Sequence, residues 1–507
     1  MKRRLVLAAL SFALSVPTAS HAIQFRTVAL SGRPAPETPA GILFDEFTHA
    51  VINQSGDVAF NAVVAGPGVT SGDTGGSTGI WATHPGGTRK VVRSGDQAVD
   101  SATGALMGTQ SRARIDDQGR VAFVGHPLQP GNPIPSSSLF SEGLGVLRLV
   151  DPPTGSSSPG FSGNGKLAVR ASVPNSGPFS SMVRGIWTDV SGTMVNIIRE
   201  GDLAPGFNGL AISSVESPVI NDNDVIVFAS LLENRSAGIV MPVLWKYEGG
   251  VLSPFTELGS GPRINNAGQV LFRGYGGIFR YSHGVTEPVA NFNVQAPGAA
   301  PGELLRGVDV LRINGVGDAT FFGELMGPGV TGSNRSALWT ERNGQIEMVA
   351  RASTQAPGVA SGVNFLSFQT FSVRNPDLAV NSAGQAAFEA RLSGAAVDAS
   401  NDAGIWATDL TGTLRNIVRT GDLFDVQPDP LITDLRTIST AHIAIAGSNG
   451  EDGWYTSFND AGELVATLSF TDGTSGIFVF ATAVPEPGTL ALAGLGIVAG
   501  LSRARRK

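Results

Sequence analysis

The chain of 507 residues carries 35 basic and 42 acidic side chains, a net charge of −7, with 42 % hydrophobic residues, 66 glycines and 30 prolines. That is enough apolar material for several domains or one large repeat-built domain, and enough turn residues for many chain reversals. Cysteine is absent, which excludes disulfides, thiolate nucleophiles and Cys-metal sites.

In chain order, the first element is MKRRLVLAALSFALSVPTASHA, with a basic start, an apolar run from Leu5 to Val16 and the small-residue ending Ser20-His21-Ala22. This is the layout of a secretory signal peptide over residues 1–22, cleaved after Ala22. Without residues 1–22 and 485–507 the body holds 28 basic against 41 acidic side chains, a charge of −13 that argues against nucleic acid as a partner.

Next comes TVALSGRPAP (27–36), which matches a strand element found later in VNIIREGDLAPG but has no turn before it. The body from 23 to 483 then repeats one short stretch eight times, as in VINQSGDVAF and INNAGQVLF. The copies start at Asn53, Asp116, Ser162, Asn221, Asn265, Asn314, Asn381 and Asn459. Each first residue has a side-chain oxygen that accepts a backbone hydrogen bond two residues on, favouring a turn. Three residues later stand Gly56, Gly119, Gly165, Gly268, Gly317, Gly384 and Gly462, with Asp224 the exception. Glycine there permits the positive φ of a type I turn with a bulge, and apolar alternation follows. The stretch therefore predicts a β-hairpin corner.

A second signature follows each corner: Ile80-Trp81, Ile186-Trp187, Ile278-Phe279, Ile405-Trp406 and Ile477-Phe478, with Leu139-Phe140, Leu244-Trp245 and Leu338-Trp339 in the same place elsewhere. Five of the six tryptophans fall here, so this position packs between units. A third strand and one more β-rich segment complete a unit, and corner starts lie 44 to 78 residues apart. Such units cannot bury both faces alone and must stack. The predicted fold is all-β, a propeller of about eight four-stranded blades, or seven given the irregular second and third units; an open β-solenoid is the alternative. The last unit, with its corner at Asn459, lacks the strand that residues 27–36 supply, so the N-terminal strand should close the ring and remove exposed sheet edges.

The end reads AVPEPGTLALAGLGIVAGLSRARRK. Residues 489–501 form an uncharged 13-residue run ahead of the basic stop Arg503, Arg505, Arg506 and Lys507. As a helix it would reach about 20 Å against the roughly 30 Å hydrocarbon core, a marginal transmembrane helix with its basic end cytoplasmic. Val484-Pro485-Glu486-Pro487, a short span and an Arg-rich end together resemble the PEP-CTERM sorting signal over residues 484–507. The resemblance implies an exported protein held transiently in the inner membrane, processed by an exosortase-type enzyme, and then placed at the cell surface or in an extracellular polysaccharide or biofilm matrix. The repeats resemble an exported bacterial family with tandem NxxGxxAF motifs and interchangeable C-terminal anchors, which implies no enzymatic activity, cofactor or binding residues.

Chemistry-bearing motifs are few. His21, His49, His84, His126, His283 and His442 are scattered without metal-ligand spacing and are expected in turns or on the surface. Gly75-Gly76-Ser77-Thr78-Gly79 fits GxSxG but sits in a Gly/Ser/Thr loop rather than between a strand and a helix. Asn221-Asp222-Asn223-Asp224 could offer oxygens to Ca²⁺, yet occupies a corner and lacks the glycine and distant Glu of an EF-hand loop. Asp96, Asp202 and Asp422 each follow glycine at equivalent places and read as turn caps. The sequence thus points to a structural, adhesive or ligand-binding envelope protein, with a glycan hydrolase or lyase sited in the channel as the alternative.

Overall fold

Each of the eight corners folds as its turn chemistry dictates. The first residue's N–H donates to the carbonyl four residues on, and the N–H three residues on donates back, as in Asn53 N to Asp57 O (2.9 Å) and Gly56 N to Asn53 O (3.1 Å). The seven corner glycines have φ between 74° and 95°, and Asp224, the one replacement, takes φ 62°. Aspartate tolerates this left-handed region better than most side chains, so the exception keeps the rule. The side-chain oxygen of the first residue also accepts the N–H four residues on, at 2.8 Å from Asp57 to Asn53 and 2.9 Å from Glu463 to Asn459.

The structure is a computed structural model and describes residues 24–129, 137–150, 159–174, 182–234, 236–368, 378–427, 431–444, 451–454 and 456–482. They form eight antiparallel sheets, and no helix is present among them. The repeat counted from its corner is one strand out of phase with the blade. In the first blade the strand before the corner, Leu43–Ile52, pairs with Val58–Ala65, then Thr78–His84, then Gly87–Arg93. The eighth blade takes Leu423–Asp425, Leu435–His442, Glu463–Phe470 and Ser475–Ala481 from the end of the chain and its outermost strand, Phe25–Leu30, from the start. Phe25 stands opposite Phe480 and Leu30 opposite Gly476, so the ring of eight closes as the complementary ends require. The closing strand ends at Leu30: Pro34 already bridges Leu43, and residues 31–36 belong to the entry of blade one.

The recurring Phe and Trp are one device. In six blades the phenylalanine ending the motif is the cross-strand partner of the aromatic in the next strand, as in Phe60 with Trp81, Phe228 with Trp245, Phe321 with Trp339 and Phe388 with Trp406. Val169 and Ala466 take its place opposite Trp187 and Phe478. A β-bulge follows the residue before the aromatic in seven blades, for example between Ile80 and Trp81, which adds twist to the outer strand. Trp81, Trp245, Trp339 and Trp406 are fully buried, and each packs against the preceding blade. Trp81, Trp339 and Trp406 donate Nε1–H to the carbonyls of Pro36, Pro297 and Pro357 in the connections between blades, at 3.0 to 3.1 Å. Apolar clusters therefore lie at every blade junction, and the core is a ring of interfaces.

Because strand direction alternates, first-to-second and third-to-fourth turns share one face, the corner face. The second-to-third turns and the connections between blades lie on the opposite face.

Candidate functional site

The corners meet around the axis and hold one another. Asn53 Nδ2 donates to Asp116 O (2.8 Å), Asn221 to Asn265 O (3.0 Å), Asn265 to Asn314 O (3.1 Å), Asn381 to Asn459 O (3.0 Å), and Asn459 closes the circle on Asn53 O (3.2 Å). Asp116 and Ser162 carry no amide, and neighbours replace it: Arg120 Nη2 reaches Asn164 O (2.8 Å) and Asn164 Nδ2 reaches Asp222 O (2.8 Å). This is why asparagine outnumbers aspartate at the position. Its oxygen holds its own turn while its nitrogen holds the next blade.

A second circle lies on the residue after each Asn. Gln54 N donates to Asp117 Oδ1 (3.1 Å), Gly163 N to Asp222 Oδ1 (2.5 Å), Asp222 N to Asn266 Oδ1 (2.9 Å), Ser382 N to Asp460 Oδ1 (2.6 Å) and Asp460 N to Gln54 Oε1 (2.8 Å). Blade six has Gly315 here and offers no oxygen. Glu451 supplies it instead, accepting from Asn266 N (2.7 Å) and Ser382 Oγ (3.0 Å). A Cβ on Gly315 would lie 2.9 Å from Glu451 Oε1 and 2.7 Å from Ser382 Oγ, so glycine leaves the space that this carboxylate fills.

Glu451 belongs to a segment that the eighth blade inserts between Leu435–His442 and Glu463–Phe470. Its backbone accepts hydrogen bonds from three other blades: Ile220 N to Asp452 O (3.0 Å), Phe161 N to Gly453 O (2.7 Å) and Ile52 N to Thr456 O (3.0 Å). Arg263 lies over the Trp454 ring at 4.5 Å and 3.7 Å from Asp452, and Arg114 lies 5.5 Å from the same ring. The sixth tryptophan, outside the repeat, is thus held between guanidinium groups of the second and fifth blades. The chain plugs its own channel on the corner side.

Beside the plug is a polar cavity of about 130 Å³, lined among others by Gln54, Asp117, Asp222, Asn266, Trp454 and Asp460. Burial pushes the Asp117 carboxyl up to about 6, with Asp222, Asp116 and Asp460 adding like-charge repulsion against the Gln54 N–H. Burial also raises Asp222, opposed by its bonds from Asn266, Gly163 and Asn164. These carboxylates converge, but each takes a hydrogen bond from a neighbouring corner, and among the described residues no histidine or tyrosine lines the cavity.

The sequence-derived candidates fall as follows. Corner residues Asn53, Gly56, Asp116, Gly119, Asn265, Gly268, Asn314, Gly317, Asn381, Gly384, Asn459 and Gly462 all sit in corners and converge on the axis. In the Asn221–Asp224 stretch, the Asn221 oxygen accepts from Asn223 N and Val225 N, as a corner does. Asp96 and Asp202 cap their turns through Arg93 N (2.9 Å) and Arg199 N (2.8 Å). Ser77 leads directly into the strand Thr78–His84. His49 departs from the surface-or-turn expectation, and His442, exposed at a strand end, keeps to it. His49 is buried in a strand, where burial and the charges of Arg112 and Arg114 pull it down to about 3. His442 ends a strand and lies 3.2 Å from the buried Glu389, which also accepts from Ile443 N (2.7 Å). The Glu389 position recurs as a tie to the next blade, as where Asn61 Oδ1 accepts from Ala113 N (3.0 Å). Residues 1–22, Val484 to Pro487, the run 489–501 and the basic stop lie outside the described residues; among the described residues no helix is long and apolar enough to cross a membrane.

A family profile described as "Family of unknown function (DUF7453)" matches residues 19–153 and 152–491. The PEP-CTERM protein-sorting motif matches 483–507, which marks the chain for export and for C-terminal sorting to the cell envelope by an exosortase-type system. No curated protein matches the chain. Among solved structures it is similar to the β-propeller domain of the Trilobed protease from Pyrococcus furiosus, at 11 % identity and a TM-score of 0.39, over 75 % of this chain and 99 % of that one. It is also similar to the Dos1 propeller (11 % identity, TM-score 0.38, 87 % and 94 % covered) and to an oligogalacturonate lyase in complex with manganese (12 %, 0.36, 77 % and 96 %). Likeness at this level carries no activity over to this chain.

Proposed function

The chain belongs to the family of unknown function DUF7453, and from its own geometry we propose a non-enzymatic envelope protein that gives structure, adhesion or ligand display in an exopolysaccharide or biofilm matrix. Residues 1–22 direct export, 23–483 form the functional domain, and 489–501 tether it transiently in the inner membrane until an exosortase-type enzyme acts at Pro485-Glu486-Pro487. The likeness of the corners to the tandem NxxGxxAF family belongs to the same reading.

The observation that carries it is the plug. Glu451 to Trp454 and Thr456 fill the place where a propeller would admit a ligand on the corner side, and the nearby carboxylates are engaged in holding corners together. The second reading, a glycan hydrolase or lyase, draws on the convergence of Asp117, Asp222 and Asp460 at the cavity. A glycan array probed with exported protein, with a parallel assay for released sugar ends, separates them. Retention of a polysaccharide without turnover supports display. Turnover abolished by Asp117→Asn or Asp222→Asn would replace it with the enzyme.

A further inference from the structure

The point where the chain leaves the propeller constrains how the propeller stands on a membrane. Thr482 is buried and pinned on the corner face: its N donates to Gly462 O (2.8 Å), its Oγ1 donates to the same carbonyl (2.9 Å) and accepts from Gln385 Nε2 (3.2 Å). Beside it Ala481 N donates to Gln24 O (2.8 Å), so the folded chain begins on the same face. From Thr482 to Thr489, where the uncharged run begins, there are seven residues, which span at most about 25 Å when fully extended. The strands separating the two faces are longer: Glu463–Phe470, with eight residues, extends about 27 Å. A tail passing around the blade's edge must also clear the outer strand Phe25–Leu30, about 5 Å further. The tether is too short to bring the opposite face down.

We infer that, while the tail is in the bilayer, the propeller stands with its corner face against the lipid headgroups and turns its opposite face toward the matrix. The inference rests on the membrane span proposed above. The two faces are built accordingly. The corner face has two-residue turns at 85–86, 249–250, 283–284 and 343–344 and five- or six-residue turns at 142–147, 189–194 and 409–413, where Leu144, Val146 and Leu410 are exposed. The mouth at its centre carries Asp117, Asp222 and Asp460, so apposition comes from tether length and not from attraction to acidic lipid. The opposite face carries the long loops 66–77, 327–335 and 394–402, and Leu203, Tyr275 and Leu431 are 75 %, 91 % and 91 % exposed there. These loops and apolar tips are the surface presented to matrix polymer.

Because the chain has no cysteine, a single introduced thiol reports one position. Val316→Cys places it in a corner of blade six that is 67 % exposed, and Tyr275→Cys places it on the opposite face. Full-length chains in membranes of a host lacking the processing enzyme are reacted with a polymer-linked maleimide, with and without a Gly/Ser insert of about 20 residues after Ala483, which adds a mean reach of about 25 Å. The Val316→Cys chain should react about tenfold more slowly without the insert than with it, and the Tyr275→Cys chain equally in both, because only the short tether holds the corner face down. Equal rates for Val316→Cys with and without the insert, in chains that sediment with the membrane, would overturn the orientation alone. Chains that fail to sediment at all would overturn the membrane span itself and the orientation with it.

Discussion

The junctions that flank blade eight and the junction between blades two and three solve the same packing problem with different means. Blade eight meets blade seven through Phe458, Phe470, Phe478 and Phe480, with Phe424 and Phe25 against them, ring centroids 4.6 Å apart for Phe25 and Phe424. It meets blade one through Val465, Ile477 and Val479 packed on Phe44, Phe60 and Trp81. Between blades two and three the described residues supply Ala122, Val124, Leu139, Phe161, Leu167 and Val169 fully packed, with Trp187 half-buried beside them. The Trp187 Nε1 is buried without an acceptor among the described residues, whereas the other blades give theirs a proline carbonyl or, for Trp245, Ser230 Oγ. The corners differ in parallel, since Asp116 and Ser162 lack the amide that ties one blade to the next. The aromatic packing of blade eight lies beside the seam within it that no covalent connection crosses, where Phe25–Leu30 pairs with Ser475–Ala481. Blades two and three, whose strands each come from one uninterrupted run of chain, hold with a thinner interface among the described residues.

The largest effect should come from removing the closing strand. Deleting residues 23–36 from the mature domain leaves Phe424, Phe478 and Phe480 without their cover and opens the edge of Ser475–Ala481. Thermal melting should fall by at least about 10 °C and aggregation should set in, as light scattering during the melt would record. Next, Phe478→Ala should cost about 3–5 kcal/mol and Leu139→Ala, in the thinner junction, about 2–3 kcal/mol by denaturant titration. Equal costs would remove the distinction between the two regions.

Asn459→Asp dissects the ring from the turn. The new carboxylate can still accept from Glu463 N, but it faces Asn53 O and the Glu463 carboxylate where an amide donated before. A loss of about 1–3 kcal/mol at pH 7 is expected, shrinking below about pH 4 as carboxyls protonate. Unchanged stability would mean that the corner-to-corner bond contributes nothing.

The smallest effect concerns pH. Asp117 has its folded pKa raised from 3.8 to about 6, so the stability it lends is full below about pH 4 and is lost as pH rises through about 6. Asp117→Asn retains an oxygen for the Gln54 N–H and removes that loss. The variant should therefore melt higher than the parent at pH 7 and alike at about pH 4. The side chain keeps solvent access at the mouth, which limits the gain to a fraction of the full shift.

What the sequence revealed was what is local. An Asn, a Gly three residues later and alternation afterwards specify a corner without reference to the rest of the chain, and the complementary defects of the two ends specify closure. The rings were not legible, because they join residues 44 to 78 apart, and Asn459 to Asn53 at 406. A trace existed in the preference for Asn over Asp, which only an amide with two uses explains. The plug was hidden for another reason: Glu451 to Trp454 has no copy elsewhere to compare with. Its signals were the longest interval between corners, 78 residues before Asn459, and the one tryptophan outside the repeat. The exchange of Gly315 for an oxygen-bearing residue becomes meaningful only when Glu451 is seen filling the gap.

Closure of the ring by the chain's first strand is tested most directly by native-state hydrogen exchange read by mass spectrometry. Peptides covering residues 25–30 should be protected to the same extent as those covering 475–481, and both should lose protection together in rising denaturant, after the peptides spanning the junction of blades two and three. Exchange of 25–30 at unfolded-chain rates, while 475–481 stays protected, would contradict the account.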